Sequence, residues 1–262
     1  MFEDNESAGS NTTSLAHLMV GPSPLVMIGV SLKYSIRLES DELSAMTDTQ
    51  RQGRFITLEG SEGGGKSSLM TEVSRYLVGQ GLQVIETREP GGTVLGEQVR
   101  ALLLDPDMTE IDPRTELGLM FAARVQHVET LIKPALRAGK WVICDRFTDS
   151  TYAYQGGGRA IALDVIEQFE TMFLGNFEPD LTLLLDLPVD IGLKRASAEG
   201  VPDRFEREQA AFFDRVRSTF LTRASQNHRI RVIDAIQSQK KVVEDALSII
   251  RSECFIENGG LL

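Results

Sequence analysis

Cysteine is almost absent from this chain: Cys144 and Cys254 are the only two in 262 residues, and they lie far apart. They support no disulfide framework and lack metal-ligand spacing, so they read as thiols of a reducing compartment. Histidine is scarce as well, three residues spread along the chain with no cluster. Basic residues are outnumbered 38 to 27, for a formal net charge of −11. That argues against broad binding to a nucleic acid backbone, which needs a basic face. It leaves room for a local basic pocket. No stretch has about 20 uninterrupted apolar residues, the length of a membrane helix. Internal repeats and low-complexity segments are missing too.

What is present suffices for a core: 42% of the residues are apolar and 25% charged. Residues 1–52 differ from the rest. MFEDNESAGSNTTS is polar and acidic, and LAHLMVGPSPLVMIGVSL is apolar but broken by Gly21, Pro22, Pro24 and Gly29. A secretory signal wants a basic start, and Glu3, Asp4 and Glu6 make this one acidic. Seven acidic residues against three basic ones give the segment −4. It reads as a disordered extension outside the fold, with Met46 as a candidate translation start. The domain is expected over 53–256, with a tail at 257–262.

From Arg54 the pattern is regular. FITLEG, QVIETR, KWVICDR, LTLLLDL and RIRVIDA read as five strands. Helices are expected at about 66–78, over TVLGEQVRALLL, over DPRTELGLMFAARVQHVETLIKPALRAG with a kink at Pro134, at about 189–199 and 205–226, and over QKKVVEDALSIIR. A helix-rich stretch follows KWVICDR, with QGGGR as a loop inside it. Strands alternating with helices predict a parallel sheet with helices on both faces. FFDRVRSTFLTRA reads as an amphipathic core helix, Trp141 as packing, and Met108 and Met172 as fillers.

GSEGGGKS, residues 60–67, follows the first strand and opens a helix. Its Gly60, Gly65, Lys66 and Ser67 match GxxxxGK[ST]. With glycine at about 7% of residues, the four fixed positions would match by chance in roughly 1% of chains this long. The glycines let the backbone wrap a phosphate, and the helix N-terminus favours an anion. Lys66 would reach the terminal phosphates, and the Ser67 hydroxyl would ligate Mg²⁺. Strand three ends VICDR, where Asp145 would hold the metal or its water shell and Arg146 would enter the same cleft. Strand two ends TREPGG, with Arg88 and Glu89 at the carboxyl end of the sheet, where ligands of such sheets bind. Two arginines on neighbouring strand ends suit a second phosphate, one outside the nucleotide. A kinase with a phosphorylated acceptor needs that site; a switch or motor does not.

GSEGGGKS, TREPGGT, MFAARVQH, CDRFTDSTYAYQGGGR and PDLTLLLD, in this order and spacing, resemble the thymidylate kinases over about residues 54–252. The bacterial version is the one resembled, whose P-loop lacks an arginine and whose mobile lid supplies it. The resemblance implies a three-layer α/β/α P-loop kinase fold with a five-stranded parallel sheet, and transfer of the ATP γ-phosphoryl group to dTMP. It implies a cytoplasmic homodimer using ATP, dTMP and Mg²⁺. ATP would lie on Gly60, Ser61, Glu62, Gly63, Gly64, Gly65, Lys66, Ser67 and Ser68, with Arg195 and Arg204 near its adenine end and the lid. Arg88 and Arg146 would grip the dTMP phosphate beside Glu89. Arg100 and Arg124 would line the acceptor site, Arg124 on the thymine edge. Thr151 and Gln155 would contact the base, and Tyr154 would crowd the sugar 2′ carbon. Glu62 would face the sugar or the metal shell, and Arg159 would be the lid arginine. The family's thymine-stacking aromatic falls on Met120 here, with Phe121 next to it; Phe121 is the favoured stacker.

Two other readings stay open. One is a P-loop kinase acting on another nucleoside monophosphate or a small hydroxy compound. The other is a nucleotide-dependent switch, against which stands the lack of a guanine-reading NKxD sequence.

Overall fold

The structure is a computed structural model and describes residues 53–108, 110–198 and 203–255. The expectations for residues 1–52 and for the 257–262 tail lie outside the described residues.

Five strands form one sheet: β1 (Phe55–Glu59), β2 (Val84–Arg88), β3 (Trp141–Asp145), β4 (Leu181–Asp186) and β5 (Ile230–Asp234). Their order is β2-β3-β1-β4-β5, and every pairing is parallel. The central strands FITLE and LTLLLD are buried almost throughout, because helices cover both faces of the sheet. Alternation along β1 divides the core. Ile56 and Leu58 join Leu69, Val73 and Leu77 of α1 (Lys66–Gly79) on one face. Phe55 joins the other face, with Leu117 and Phe121. Each such fully buried aliphatic side chain contributes roughly 1.5–3 kcal/mol.

The remaining helices are α2 (Val94–Leu104), α3 (Pro113–His127), α4 (Lys133–Arg137), α5 (Thr148–Thr151), α6 (Leu163–Leu174), α7 (Val189–Ala196), α8 (Ala210–Gln226) and α9 (Gln239–Ile250). Local chemistry sets several starts. The Thr93 side chain accepts from the Gly96 N–H at the head of α2, and Asp112 caps α3 with Pro113 in its first turn. The long helix expected over 112–139 is α3, a π-helical turn (Val128–Ile132) and α4. Pro134 lies just beyond that turn. The wider turn accommodates a ring that has no N–H to give.

QGGGR is not the loop expected of it: Tyr152–Gly158 is π-helical and continues α5. Its glycines serve packing. A Cβ on Gly157 would meet Thr219 Oγ1 at 2.2 Å, and one on Gly158 would meet the Phe212 ring at 2.4 Å. Phe212, Phe213, Val216 and Phe220 of α8 are buried, as an amphipathic core helix requires. Trp141 is packed against Phe255. Met172, expected to be a filler, is 77% exposed.

The topology brings three strand ends together. β1 lies between β3 and β4, Asp145 pairs in register with Leu58, and Arg88 pairs with Asp145. The chain therefore leaves β1, β2 and β3 into one cleft at the carboxyl edge.

Candidate active site

The loop after β1 has the backbone of an anion cradle. Gly60, Gly63 and Gly65 have φ of 133°, 68° and 82°, values that suit glycine. Space demands glycine as well: a Cβ on Gly60 would sit 2.4 Å from the Leu185 carbonyl oxygen, and one on Gly63 would sit 2.2 Å from that of Gly192. Lys66 opens α1, and its Nζ donates to the carbonyls of Gly60 (3.1 Å) and Ser61 (3.0 Å). Ser67 and Ser68 are exposed on the first turn of α1. Arg195 of α7 lies against Gly63 and donates to the Ala235 carbonyl at 2.9 Å, tying α7 to the end of β5.

Arg146 links this loop to a second cavity. Its φ of 70° turns the chain sharply at the end of β3. Its guanidinium donates to the Gly60 carbonyl (3.0 Å), Ser150 Oγ (3.2 Å) and Glu62 Oε1 (2.7 Å), and lies 4.9 Å from the Tyr154 ring centre. The Tyr154 hydroxyl donates to the same Glu62 oxygen at 3.0 Å. Burial opposes charge on Glu62, but Arg146 and Lys66 outweigh it and hold the carboxyl below its ordinary range. Burial lowers Lys66, and the neighbouring Arg146 adds to that.

The cavity is lined by Glu62, Glu89, Arg100, Met120, Arg124, Arg146, Thr151, Tyr154 and Gln155, all expected from the sequence. Pro90, Leu104, Phe147, Ser150, Asp203 and Phe205 complete it and were not foreseen. Arg124 stands out on its wall. It is buried, its Nε donates to Glu89 Oε2 (2.6 Å) and its Nη2 to the Phe147 carbonyl (3.1 Å). Its Nη1 is buried with no hydrogen-bond partner. A buried, charged donor left unmet is costly unless a ligand atom accepts from it. Arg100 donates to the Pro90 carbonyl at 3.0 Å. Arg88 is not among the lining residues: it is half-exposed and paired with Glu97 of α2 at 2.9 Å.

One expectation needs correction, and one residue has partners the sequence did not announce. Phe121, the stacking surface the resemblance favours, is fully buried in the core, its ring 5.6 Å from Phe169 and 5.9 Å from Phe173. Met120 faces the cavity instead. One residue step turns a helix by about 100° (a 3.6-residue turn), so neighbours cannot share a face. Arg159 was expected to be the arginine that meets the transferring group. Its guanidinium is bonded to Glu116 (3.3 Å) and to Glu208, and it lies over the Phe205 and Phe212 rings. Two carboxylates and two aromatic faces hold it there. Arg204 belongs to the same cluster, donating to Glu116 Oε2 (2.5 Å) and to the Leu103 carbonyl (2.8 Å).

Three carboxylates or their partners escaped the sequence reading. Glu59 is fully buried and accepts from the Phe147 N–H (2.7 Å), the Ser150 N–H (3.2 Å) and Ser150 Oγ (2.5 Å), fixing the turn that presents Arg146. Burial and then Asp149 push it up to about 7. Its signal was a charged residue closing an apolar strand. Glu116 is fully buried and accepts from Gln155, Arg159 and Arg204. His127 is buried behind Glu89. The two have no local signature, since their partners are distant in sequence.

Asp145 is the candidate metal residue on β3. Its Oδ1 is buried without a hydrogen-bond partner at the end of the strand beside the glycine loop. No group of three or more His, Cys, Asp or Glu side chains suited to a metal occurs among the described residues. A hydrated ion carried by polyphosphate, touched by one carboxylate and one serine, fits that donor set.

With this geometry in hand, comparison with known proteins is specific. A family model described as thymidylate kinase matches residues 58–246. The thymidylate kinase of Pseudomonas fluorescens (strain SBW25) is 55% identical over 186 residues, covering 71% of this chain and 89% of that protein. The thymidylate kinase of Ectopseudomonas mendocina (strain ymp) is 51% identical over 201 residues, covering 76% and 96%. Among solved structures, the crystal structure of thymidylate kinase from Ehrlichia chaffeensis superposes with a TM-score of 0.62 at 34% identity, covering 76% of this chain and 98% of that one.

Proposed function

The chain belongs to the thymidylate kinase family, and on that footing we propose how its cleft moves the γ-phosphoryl group of ATP to dTMP, giving dTDP and ADP. The glycine loop and the start of α1 hold the ATP phosphates through backbone N–H groups. Lys66 exchanges its bonds to the Gly60 and Ser61 carbonyls for the terminal phosphates. Ser67 and Asp145 would hold Mg²⁺, which neutralises charge on the phosphates when bound. Arg195 flanks the loop on the adenine side.

The cavity takes dTMP. Its base lies against Met120, with a carbonyl accepting from Arg124 Nη1 and with Thr151 and Gln155 at its edge. Tyr154, held by its bond to Glu62, fills the space a ribose 2′-hydroxyl would need. Arg146, with Arg100 and Arg88 at the mouth, balances the acceptor phosphate and keeps the two anions close. Glu62 orients Arg146 between the two sites. Arg159 and Arg204 brace the far wall through Glu116. One observation carries the reading: Arg124, on the wall of a cavity that Arg146 joins to the glycine loop, keeps a buried Nη1 with no hydrogen-bond partner.

We further propose a cytoplasmic homodimer. Large apolar side chains exposed on α6, Leu163 (47%), Met172 (77%) and Phe173 (41%), support association. Both cysteines are buried, which suits a reducing compartment. No helix among the described residues is long and apolar enough to cross a membrane.

A coupled ADP assay offering dTMP, dUMP, CMP and shikimate tests the acceptor assignment. Fastest turnover of dTMP is expected. Faster turnover of any other acceptor would overturn it and favour a P-loop kinase of different specificity.

A further inference from the structure

His127 lies behind the acceptor cavity and is not one of its lining residues, yet it is fully buried with both ring nitrogens engaged. Its Nε2 is 2.7 Å from Thr87 Oγ1 of β2, and its Nδ1 is 2.9 Å from Glu89 Oε1. The other oxygen of Glu89 accepts from Arg124 Nε at 2.6 Å. A continuous chain therefore runs from Thr87 through His127 and Glu89 to Arg124, a residue of the cavity wall whose Nη1 has no hydrogen-bond partner. The pattern assigns the tautomer: the carboxylate accepts from Nδ1–H, and the Thr87 hydroxyl donates to Nε2.

We propose that His127 is a positioning residue for Arg124, fixing the direction of the Nη1 donor and so the recognition of the acceptor base. The proposal rests on the reading of Arg124 as the base-reading residue. The physical reason lies in how carboxylates meet guanidinium groups. They prefer a paired fork. Without His127, Oε1 of Glu89 has no donor and turns to Arg124 Nη2. That pulls Nη2 off the Phe147 carbonyl and rotates Nη1 away from the base. With His127 in place, each Glu89 oxygen takes one donor, and Nη2 keeps its bond to Phe147.

Two features of the fold serve this chain. Arg124 and His127 are three residues apart on α3 and face the same side. The TREPGG turn also makes room for it: a Cβ on Gly92, which has φ 73°, would sit 2.4 Å from His127 Nε2 and 2.6 Å from Thr87 Oγ1. The second glycine of that motif is required by the hydrogen bond behind it as much as by the turn.

The test compares His127→Leu, His127→Asn and Arg124→Lys with the wild type, with KM for dTMP and for ATP measured separately. His127→Leu is expected to raise KM for dTMP on the order of tenfold, the effect of a misdirected charged donor, with KM for ATP unchanged. His127→Asn keeps an N–H near the Nδ1 position and should restore most of the loss. An unchanged KM for dTMP in His127→Leu, while Arg124→Lys raises it, overturns the proposal and leaves the Arg124 reading standing. No effect from Arg124→Lys would instead sink the reading itself. Should His127→Leu fail to fold, ¹⁵N NMR of the wild type decides, since the chain has only three histidines. The Nδ1–H tautomer is expected for His127, and a dominant Nε2–H tautomer overturns the proposal.

Discussion

Replacing Arg124 by lysine separates charge from direction. Lysine keeps a positive charge for Glu89 but has one nitrogen where arginine has three. In the wild type those three divide their work: Nε is on Glu89 at 2.6 Å, Nη2 is on the Phe147 carbonyl at 3.1 Å, and Nη1, without a partner in the protein, is the donor proposed for the base. The lysine nitrogen would stay with Glu89, because a buried carboxylate stripped of its partner costs about 3–5 kcal/mol. The base then loses its donor. A hydrogen bond from a charged group contributes about 1.5–3 kcal/mol. Taking about 2 kcal/mol, kcat/KM for dTMP should fall roughly 30-fold, at 1.4 kcal/mol per tenfold. The fall should appear mainly in KM for dTMP, with KM for ATP unmoved. Selectivity for dTMP over dCMP should fall with it, since cytosine carries an amino group where thymine has the accepting carbonyl. Selectivity over dUMP, which keeps that carbonyl, should not. The coupled ADP assay measures all three. An unchanged kcat/KM for dTMP would refute the role given to Nη1.

The correction at Met120 and Phe121 gives a paired prediction. Met120→Ala should raise KM for dTMP several-fold with little change in Tm, whereas Phe121→Ala should cost about 3–5 kcal/mol of stability by opening a core cavity; thermal melts and dTMP titrations read the two effects apart. Arg159→Ala should lower Tm, since it leaves the fully buried Glu116 with fewer donors, while kcat changes less than about tenfold; a loss of about 10³-fold, the scale of an arginine finger, would restore the lid role. Glu59 gives the pH dependence. Its folded value of about 7 lies above its ordinary 4.5, so its contribution is fully present below 4.5 and is lost as pH rises through 7. Relative to Glu59→Gln, wild-type stability should therefore decline by roughly 3 kcal/mol between pH 4.5 and 8, followed by denaturant unfolding; a constant difference would contradict the shift.

What could be read from the sequence was mostly local. GSEGGGKS declares its conformation through glycine spacing, and the apolar runs of β1 and β4 declare two-sided burial without help from distant residues. The acceptor residues followed from a resemblance carried by contiguous blocks, and eight of them line one cavity together with Glu62 of the glycine loop. The failures have a common physical origin in tertiary partners. QGGG looks like a loop until α8 is seen pressing on Gly157 and Gly158. The partner of Arg159, Glu116, comes from another helix and is equally silent in the sequence. Whether Met120 or Phe121 meets the base depends on the rotation of α3 about its axis. That rotation is set by Leu117 and Phe121 entering the core together, which no short window of sequence reports.

Phosphoryl transfer here depends on one arrangement, in which the glycine loop and the Arg124 cavity meet at Arg146. A crystal structure with dTMP and a non-hydrolysable ATP analogue measures it directly. A thymine carbonyl is expected on Arg124 Nη1, with the ring against Met120 and the dTMP phosphate on Arg146 facing the triphosphate beside Lys66. A base bound elsewhere, with Arg124 Nη1 still unmet and Arg146 turned from any second phosphate, would contradict it.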